Sequence, residues 1–207
     1  IRHIERVVKT TGMHIHGLHM HTGSEIKDVR VFLQGLEIMF ELSESFPNLK
    51  YIDMGSGFKV PYQKGELETD VKALGKKVEK AVTQFKKETG KDFELWFEPG
   101  KYLVSKSGHF LVKSNVIKQT TATVFVGVNS GFNHLIRPMF YDSYHVIENL
   151  TNPKGTERIY TVVGNICETD TFAWDRKLHE VREGDVLVFR NAGAYGFEMS
   201  SNFNSRL

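Results

Sequence analysis

About halfway through the chain the hydrophobic periodicity changes, and that change constrains the fold more than any other feature. Between His14 and Gly100, three short apolar runs, "MHIHGLHMH", "KYIDMGSG" and "DFELWFEPG", alternate with two longer segments, about Val29 to Ser45 and about Leu67 to Glu88. In the first long segment Phe32, Leu36, Met39, Phe40 and Leu42 recur at helical spacing, which predicts an amphipathic helix. Strand, helix, strand, helix, strand is the order of a parallel α/β sheet, since each parallel strand needs a crossover to bring the chain back. After Lys101 the pattern becomes "HFLVKSNVIKQ", "TATVFVGVN", "ERIYTVVGN" and "DVLVFRN", β-rich runs separated by turns with no long helical period. The expected fold class is α/β plus all-β. The boundary falls near Ser105 to Gly108, dividing residues 1–106 from 107–207.

Composition narrows the function. With 207 residues, 40% of them hydrophobic and 25% charged, the chain can bury an ordinary globular core. A net charge of +2 with dispersed lysines and arginines gives no footprint for nucleic acid. No apolar run approaches membrane-spanning length, and the single cysteine, Cys167, excludes an internal disulfide framework, so a reducing, cytoplasmic setting is expected. "IRHIERVVKTTG" repeats Ile1, Ile4, Val7 and Val8 at helical spacing and stops at Gly12 with nothing ahead of it to cap the helix. The chain therefore reads as a fragment of a longer protein.

Four histidines, His14, His16, His19 and His21, fall within eight positions. In an extended strand, residues two apart share a face, so two imidazoles on one face could begin a zinc site. The stretch brings no cysteine and only Glu25 close by, so the other ligands would have to come from elsewhere in the fold. Other polar residues also gather where predicted strands end, in "HTGS", "GSG" and "EPGK". In α/β barrels and open sheets, loops at those ends build the active site. Gly55-Ser56-Gly57 either lets backbone N–H groups approach a phosphate or serves only backbone conformation. Glu98 is either a buried carboxylate with a cationic partner or a capping or solvated one. From residue type alone, Cys167 reads as a buried apolar side chain and Arg137 as a surface charge.

Taken in order, "GLHMHTGS", "DMGSGFKVPY", "EPGK", "LIRPMFYDSYH", "NICETDTFA" and "NAGAYGFEMSSNFNSR" resemble the diaminopimelate decarboxylases, pyridoxal phosphate enzymes of alanine-racemase-like fold. The resemblance runs over essentially the whole chain. "NICETD" and "AGAYGF" are the more particular motifs, whereas a Gly-x-Gly is shared with ornithine and arginine decarboxylases. The resemblance implies that residues 1–106 are the C-terminal strands of a cofactor-binding (β/α)8 TIM barrel and that 107–207 form a β-sandwich or barrel domain. It also implies a homodimer with active sites shared at the subunit interface.

Position by position, the resemblance assigns His21 to stacking on the pyridine ring and Ser24 to a hydrogen bond near the phosphate. Gly55, Ser56, Gly57 and Gly100 become phosphate contacts, and Glu98 becomes the partner of the pyridine nitrogen. The histidines then are not a metal site and no metal is expected; His19 is expected to pack inside the barrel, with His14 and His16 structural or at the strand edge. Arg137 and Tyr141 match residues that hold a substrate carboxylate, Cys167 and Glu168 match the pair that reaches across the dimer, the thiol as proton donor and the glutamate as reader of the substrate's distal end, and Tyr195 matches a cofactor contact. Cys167, Glu98 and His21 make up the expected catalytic set.

Two departures stand out: Ser56 replaces a middle glycine, and Lys101, expected among the cofactor-binding residues, replaces an arginine that offers a bidentate fork. In addition, the lysine that forms the Schiff base lies early in the barrel of this family, and no segment here resembles that region. The implied reaction is decarboxylation of meso-diaminopimelate to L-lysine in lysine biosynthesis, with the present residues alone inactive. Arginine, ornithine or a carboxylated polyamine are the alternative substrates, and a non-catalytic homologue is the alternative of a different class.

Overall fold

The computed structural model describes residues 2–206, so Ile1 lies outside the described residues. Two compact units emerge, residues 1–61 with 67–102, and residues 62–66 with 103–207. Tyr62 to Glu66 precede the expected boundary yet group with the second unit, because Tyr62 meets the His145 ring edge-on at 5.4 Å and its hydroxyl donates to Ser105.

The first unit begins with α1 (Arg2–Thr11), which buries none of its residues. Three parallel strands follow, β1 (Gly17–His19), β2 (Tyr51–Asp53) and β3 (Glu94–Trp96), in the order β1-β2-β3 with Leu18, Ile52 and Leu95 in register. The crossovers are α2 (Val29–Ser43) and α3 (Val71–Thr89). Both start on an aspartate: Asp28 accepts the Arg30 N–H and Asp70 the Ala73 N–H, which answers donors left over at a helix start. The expected start of α3 near Leu67 is therefore early by a turn. Thr69 is held outside the helix, its hydroxyl bridging Lys59 N and Ile26 O. Gly90, at φ +69°, ends α3 in the left-handed conformation glycine tolerates. Phe32, Leu36, Met39 and Phe40 of α2 and Leu74 and Val78 of α3 bury against Ile52, Met54 and Phe93. Each such side chain contributes roughly 1.5–3 kcal/mol on leaving water.

The short α4 (Gly100–Val104) leads into the second unit, whose strands are β4 (Phe110–Gln119), β5 (Val124–Val128), β6 (Ile147–Asn149), β7 (Glu157–Val163), β8 (Thr171–His179) and β9 (Val186–Phe189). They form one sheet in the order β6-β9-β4-β5-β7-β8. β4 joins its two halves by changing partner: Phe110 to Lys113 pair with β9, and Ser114 to Gln119 pair with β5 across a bulge. All pairings are antiparallel except β5 with β7, whose crossover carries α5 (Arg137–Tyr141) and β6. Val112, Val126, Ile147, Tyr160, Phe172 and Phe189, one from each strand, meet in a common core. Sequence periodicity gave no sign of β8, because a bulge at Tyr160/Val162 and Asp175 at φ +47° shift its alternation midway.

Candidate active site

Because β1, β2 and β3 are parallel and in register, His19, Asp53 and Trp96 end them on one edge, and three loops leave from that edge. Backbone bonds tie the loops together: Glu98 N donates to Gly55 O at 2.7 Å and Ile26 N to Gly57 O at 2.8 Å. The packing is too close for side chains at two positions. Gly55 lies at φ +61° and Gly57 at φ +97°; a Cβ on either would overlap a neighbouring carbonyl oxygen, that of Met20 or of Gly23. Asp53 accepts the Gly55 N–H at 2.8 Å. The N–H groups of Ser56 and Gly57 bond to no described residue although Ser56 is buried. Unanswered N–H groups in a glycine loop are the donor set an anionic phosphate takes.

Around this loop stand the other expected residues. His21 is exposed beside Gly55, and Ser24 is exposed. Glu98 bonds His19 Nε2 at 3.1 Å, the two side chains being 56% and 53% exposed. His19, placed last on β1, extends to the carboxylate at the end of the neighbouring loop. The donor atoms of His19, Asp53 and Glu98 all lie within 4.8 Å of one another. His14 and His16 stack on each other at 6.1 Å, outside β1, and His14 bonds Asn48. Gly100 opens α4, and the Lys101 ammonium pairs with Glu25, which also receives Lys59 at 3.0 Å. Lys59 and the pairing of Glu25 with it and with Lys101 escaped the sequence reading, which met Glu25 only as a neighbour of the histidines, since nothing in their spacing marks partners so distant along the chain.

In the second unit Arg137 is only 8% exposed, so the surface-charge reading fails. Its Nη2 donates to Ser143 Oγ at 3.2 Å, its Nε is buried without a partner, and no carboxylate pairs with it among the described residues. The guanidinium lies 5.4 Å from the Tyr62 ring and 5.8 Å from the ring of Tyr141, which is largely exposed. A buried guanidinium lacking a counter-ion suits an incoming carboxylate, which it can grip with two parallel bonds. Cys167 is exposed, against the apolar reading, and its sulfur receives the Asn204 amide at 3.0 Å; Glu168 is exposed and Tyr195 partly so.

Two further buried groups were not singled out from sequence. Asp170 is 6% exposed and accepts backbone N–H groups of Phe132 and Ile166, while burial pushes its carboxyl above the usual range. His145 is buried, bonds the Arg190 carbonyl through Nδ1, and is pushed down to about 4 by burial.

Comparison with known proteins agrees with this geometry. Residues 1–105 match the pyridoxal-binding domain of the pyridoxal-dependent decarboxylases, and residues 101–193 match their C-terminal sheet domain. A diaminopimelate decarboxylase of Campylobacter jejuni is 38% identical over 92% of this chain and 47% of its own length; that of Methanothermobacter thermautotrophicus is 36% identical over 98% and 49%. A crystal structure of diaminopimelate decarboxylase superposes with a TM-score of 0.90 at 35% identity, covering 97% of this chain and 51% of the other. The M. jannaschii enzyme in complex with L-lysine gives 0.87 at 29%, covering 98% and 48%. The chain spans about half the length of the curated relatives it matches. Its three parallel strands are accordingly part of a (β/α)8 barrel, followed by the family's sheet domain, and the chain belongs to the pyridoxal-dependent decarboxylases.

Proposed function

We propose that the complete protein decarboxylates meso-diaminopimelate to L-lysine with pyridoxal phosphate as cofactor, working in the cytoplasm as a homodimer with shared active sites. The observation that carries this reading is the meeting of the unanswered Ser56 and Gly57 N–H groups with Glu98 on one strand-end edge, in a chain matched to the pyridoxal-binding domain. The named relatives favour diaminopimelate as the substrate, and one of them is known with L-lysine bound.

When bound, the cofactor supplies an electron sink for the pair left behind as CO2 departs. This chain's residues do the rest. Ser24, Ser56 and Gly57 would receive the phosphate on hydroxyl and backbone donors, while Gly55, whose N–H is held by Asp53, and Gly100, whose N–H bonds the Glu98 carbonyl, would line it without donating. His21 covers the ring, Tyr195 contacts the cofactor, and Glu98 keeps the ring nitrogen protonated. The His19 imidazole, bonded to Glu98, limits the rotation of that carboxylate. Lys101 acts through charge with Glu25 and Lys59, in place of a bidentate fork. Arg137 and Tyr141 would fix a substrate carboxylate in their own chain's site, while Glu168 and Cys167, reaching into the partner's site, would read the distal end there and deliver a proton from Sγ to the carbon that lost CO2.

Assays of the complete protein with diaminopimelate, lysine, ornithine and arginine test the reading. Release of CO2 chiefly from diaminopimelate is expected, and equal or faster release from ornithine or arginine overturns the substrate assignment. Residues 1–207 alone should release none, and borohydride should fix no stoichiometric cofactor on them. Labelling of one of their lysines together with turnover would refute that part.

A further inference from the structure

The loops that carry Cys167 and Arg137 are tied to one another by a buried carboxylate. β5 and β7 are parallel neighbours, with Gly127 opposite Val163, so both chains leave the sheet at the same end. Residues 129–136 follow β5 and lead into Arg137; residues 164–170 follow β7 and contain Cys167 and Glu168. We propose that Asp170 is the positioning residue that locks these two loops together, and so holds the proton donor that a chain offers to its partner's site in fixed register with the carboxylate-binding arginine of its own site; this rests on the decarboxylase reading above.

Each oxygen of Asp170 holds one loop. Oδ1 accepts the Phe132 N–H at 2.7 Å and Oδ2 accepts the Ile166 N–H at 3.0 Å. The Asp170 carbonyl closes its own loop by accepting from Gly164 N at 2.7 Å, and Asn165 N reaches Ser130 O at 3.0 Å as a second tie. Two glycines make room for the carboxylate. A Cβ on Gly131 would come 2.6 Å from Oδ2, and one on Gly164 would overlap the carboxyl group. Neither glycine has a positive φ, so space, not backbone conformation, demands them. An asparagine at 170 could present an oxygen to only one loop, and its NH2 would face the other loop's N–H, donor against donor. The tie would open on one side.

Asp185 provides a control of matched chemistry. It too is a buried carboxylate, 5% exposed, accepting Asn149 Nδ2 at 2.8 Å and Arg182 N at 2.9 Å, but it belongs to the turn before β9 and touches neither loop. The test compares Asp170→Asn, Asp185→Asn and Gly131→Ala in the complete, cofactor-loaded protein. Three quantities are read: kcat/KM for diaminopimelate, the alkylation rate of Cys167 located by peptide mass, and amide exchange over residues 130–136 and 164–169. Asp170→Asn should keep its cofactor, lose about a hundredfold in kcat/KM, as a small misplacement of reacting groups does, and change the Cys167 alkylation rate about tenfold as the loop opens. Both peptides should exchange faster together. Gly131→Ala should repeat the pattern, and it carries the test alone if Asp170→Asn does not fold. Asp185→Asn should lose stability without these shifts. Alkylation and exchange unchanged in a folded Asp170→Asn, or changed equally in Asp185→Asn, would overturn the proposal. A wild-type protein that releases no CO2 overturns the underlying reading instead, and the alkylation and exchange comparison still decides on the tie.

Discussion

In the barrel unit, the polar groups of the candidate site stand at strand ends and are largely open: His21 and Ser24 are exposed, and His19 and Glu98 are each more than half exposed. In the sheet unit, the corresponding organisation lies beneath the surface, with Arg137, His145 and Asp170 buried while Cys167, Glu168, Tyr141 and Tyr195 reach solvent. The openness of the first unit is that of three strands of an eight-stranded barrel; the burial in the second follows from what it must hold. A phosphate can be received by backbone N–H groups, whose positions the strands already fix. A guanidinium kept without a counter-ion must be enclosed by packing, or it relaxes toward water. Substitutions should therefore act on chemistry or cofactor affinity in the first unit, and on chemistry and folding together in the second.

The sharpest test of that contrast is Glu98→Gln in the complete protein. An amide cannot keep a pyridine nitrogen protonated, and removing such a charge-stabilising group typically costs about a hundred- to a thousandfold in kcat. Because glutamine keeps the shape of the side chain and its bond to His19, thermal stability should stay within about 1 kcal/mol of wild type. Cofactor release with unchanged turnover per bound cofactor would remove the assigned role.

Gly57→Ala is next in size. Its φ of +97° and the Gly23 carbonyl leave no place for a methyl group, so the loop must shift, at a cost of about 1–3 kcal/mol and with weaker cofactor binding. Gly184→Ala in the sheet unit has a similar φ of +91°, but its nearest neighbour is the flexible end of Lys113 at 3.9 Å. It should cost about 1 kcal/mol and leave cofactor affinity alone. Cofactor titration and chemical unfolding of both variants would decide. Equal cofactor affinities would deny the crowding argument.

His145 makes the sheet unit sensitive to acid. Unfolded, the imidazole takes its proton near 6.5; folded, burial holds it at about 4. Since the unfolded chain binds the proton more readily, stability is complete above pH 6.5 and declines as the pH falls from there toward 4. The loss amounts to about 3 kcal/mol across that window. His145→Asn, which can still donate to the Arg190 carbonyl, should flatten this part of the stability profile. An unaltered slope between pH 6.5 and 4 would show that other groups set it.

How much of this was legible beforehand depends on how far along the chain each determinant lies. The apolar stripe of α2 and the strand-end glycines are local, and the change of period after Lys101 separates the two kinds of structure without any alignment. The grouping of Glu98, His19 and Asp53 is not local: three separate strand ends bring those groups within 4.8 Å, and only His19 had a neighbour in sequence to suggest a cluster. Asp170 sat inside a quoted motif, three residues after Cys167, yet one of its partners, Phe132, is 38 positions away. Arg137 looked like a surface charge because residue type carries no information about the aromatic rings of Tyr62 and Tyr141 that enclose it.

The smallest expected effect concerns Lys101, where the family's usual arginine is missing. In isolation, an arginine there should bind a phosphate better, because a planar fork offers two parallel bonds where an ammonium acts as a point charge. In this chain, however, position 101 is already tied to Glu25, and Glu25 also takes Lys59, so the two ammonium groups and one carboxylate form a single cluster. A guanidinium introduced at 101 keeps the charge and the pairing with Glu25, and its second edge gains only what Lys59 does not already supply. Lys101→Arg should therefore alter the cofactor dissociation constant by no more than about threefold, under 1 kcal/mol, within the range of a partly exposed ion-pair exchange. The same substitution combined with Lys59→Gly, which removes the second ammonium, should show a larger gain from arginine, because the fork then has no competitor at Glu25. Cofactor titrations of the two single variants and the double variant form a closed cycle. Additive changes would mean that Lys59 and Lys101 act separately and that the shared carboxylate does not couple them.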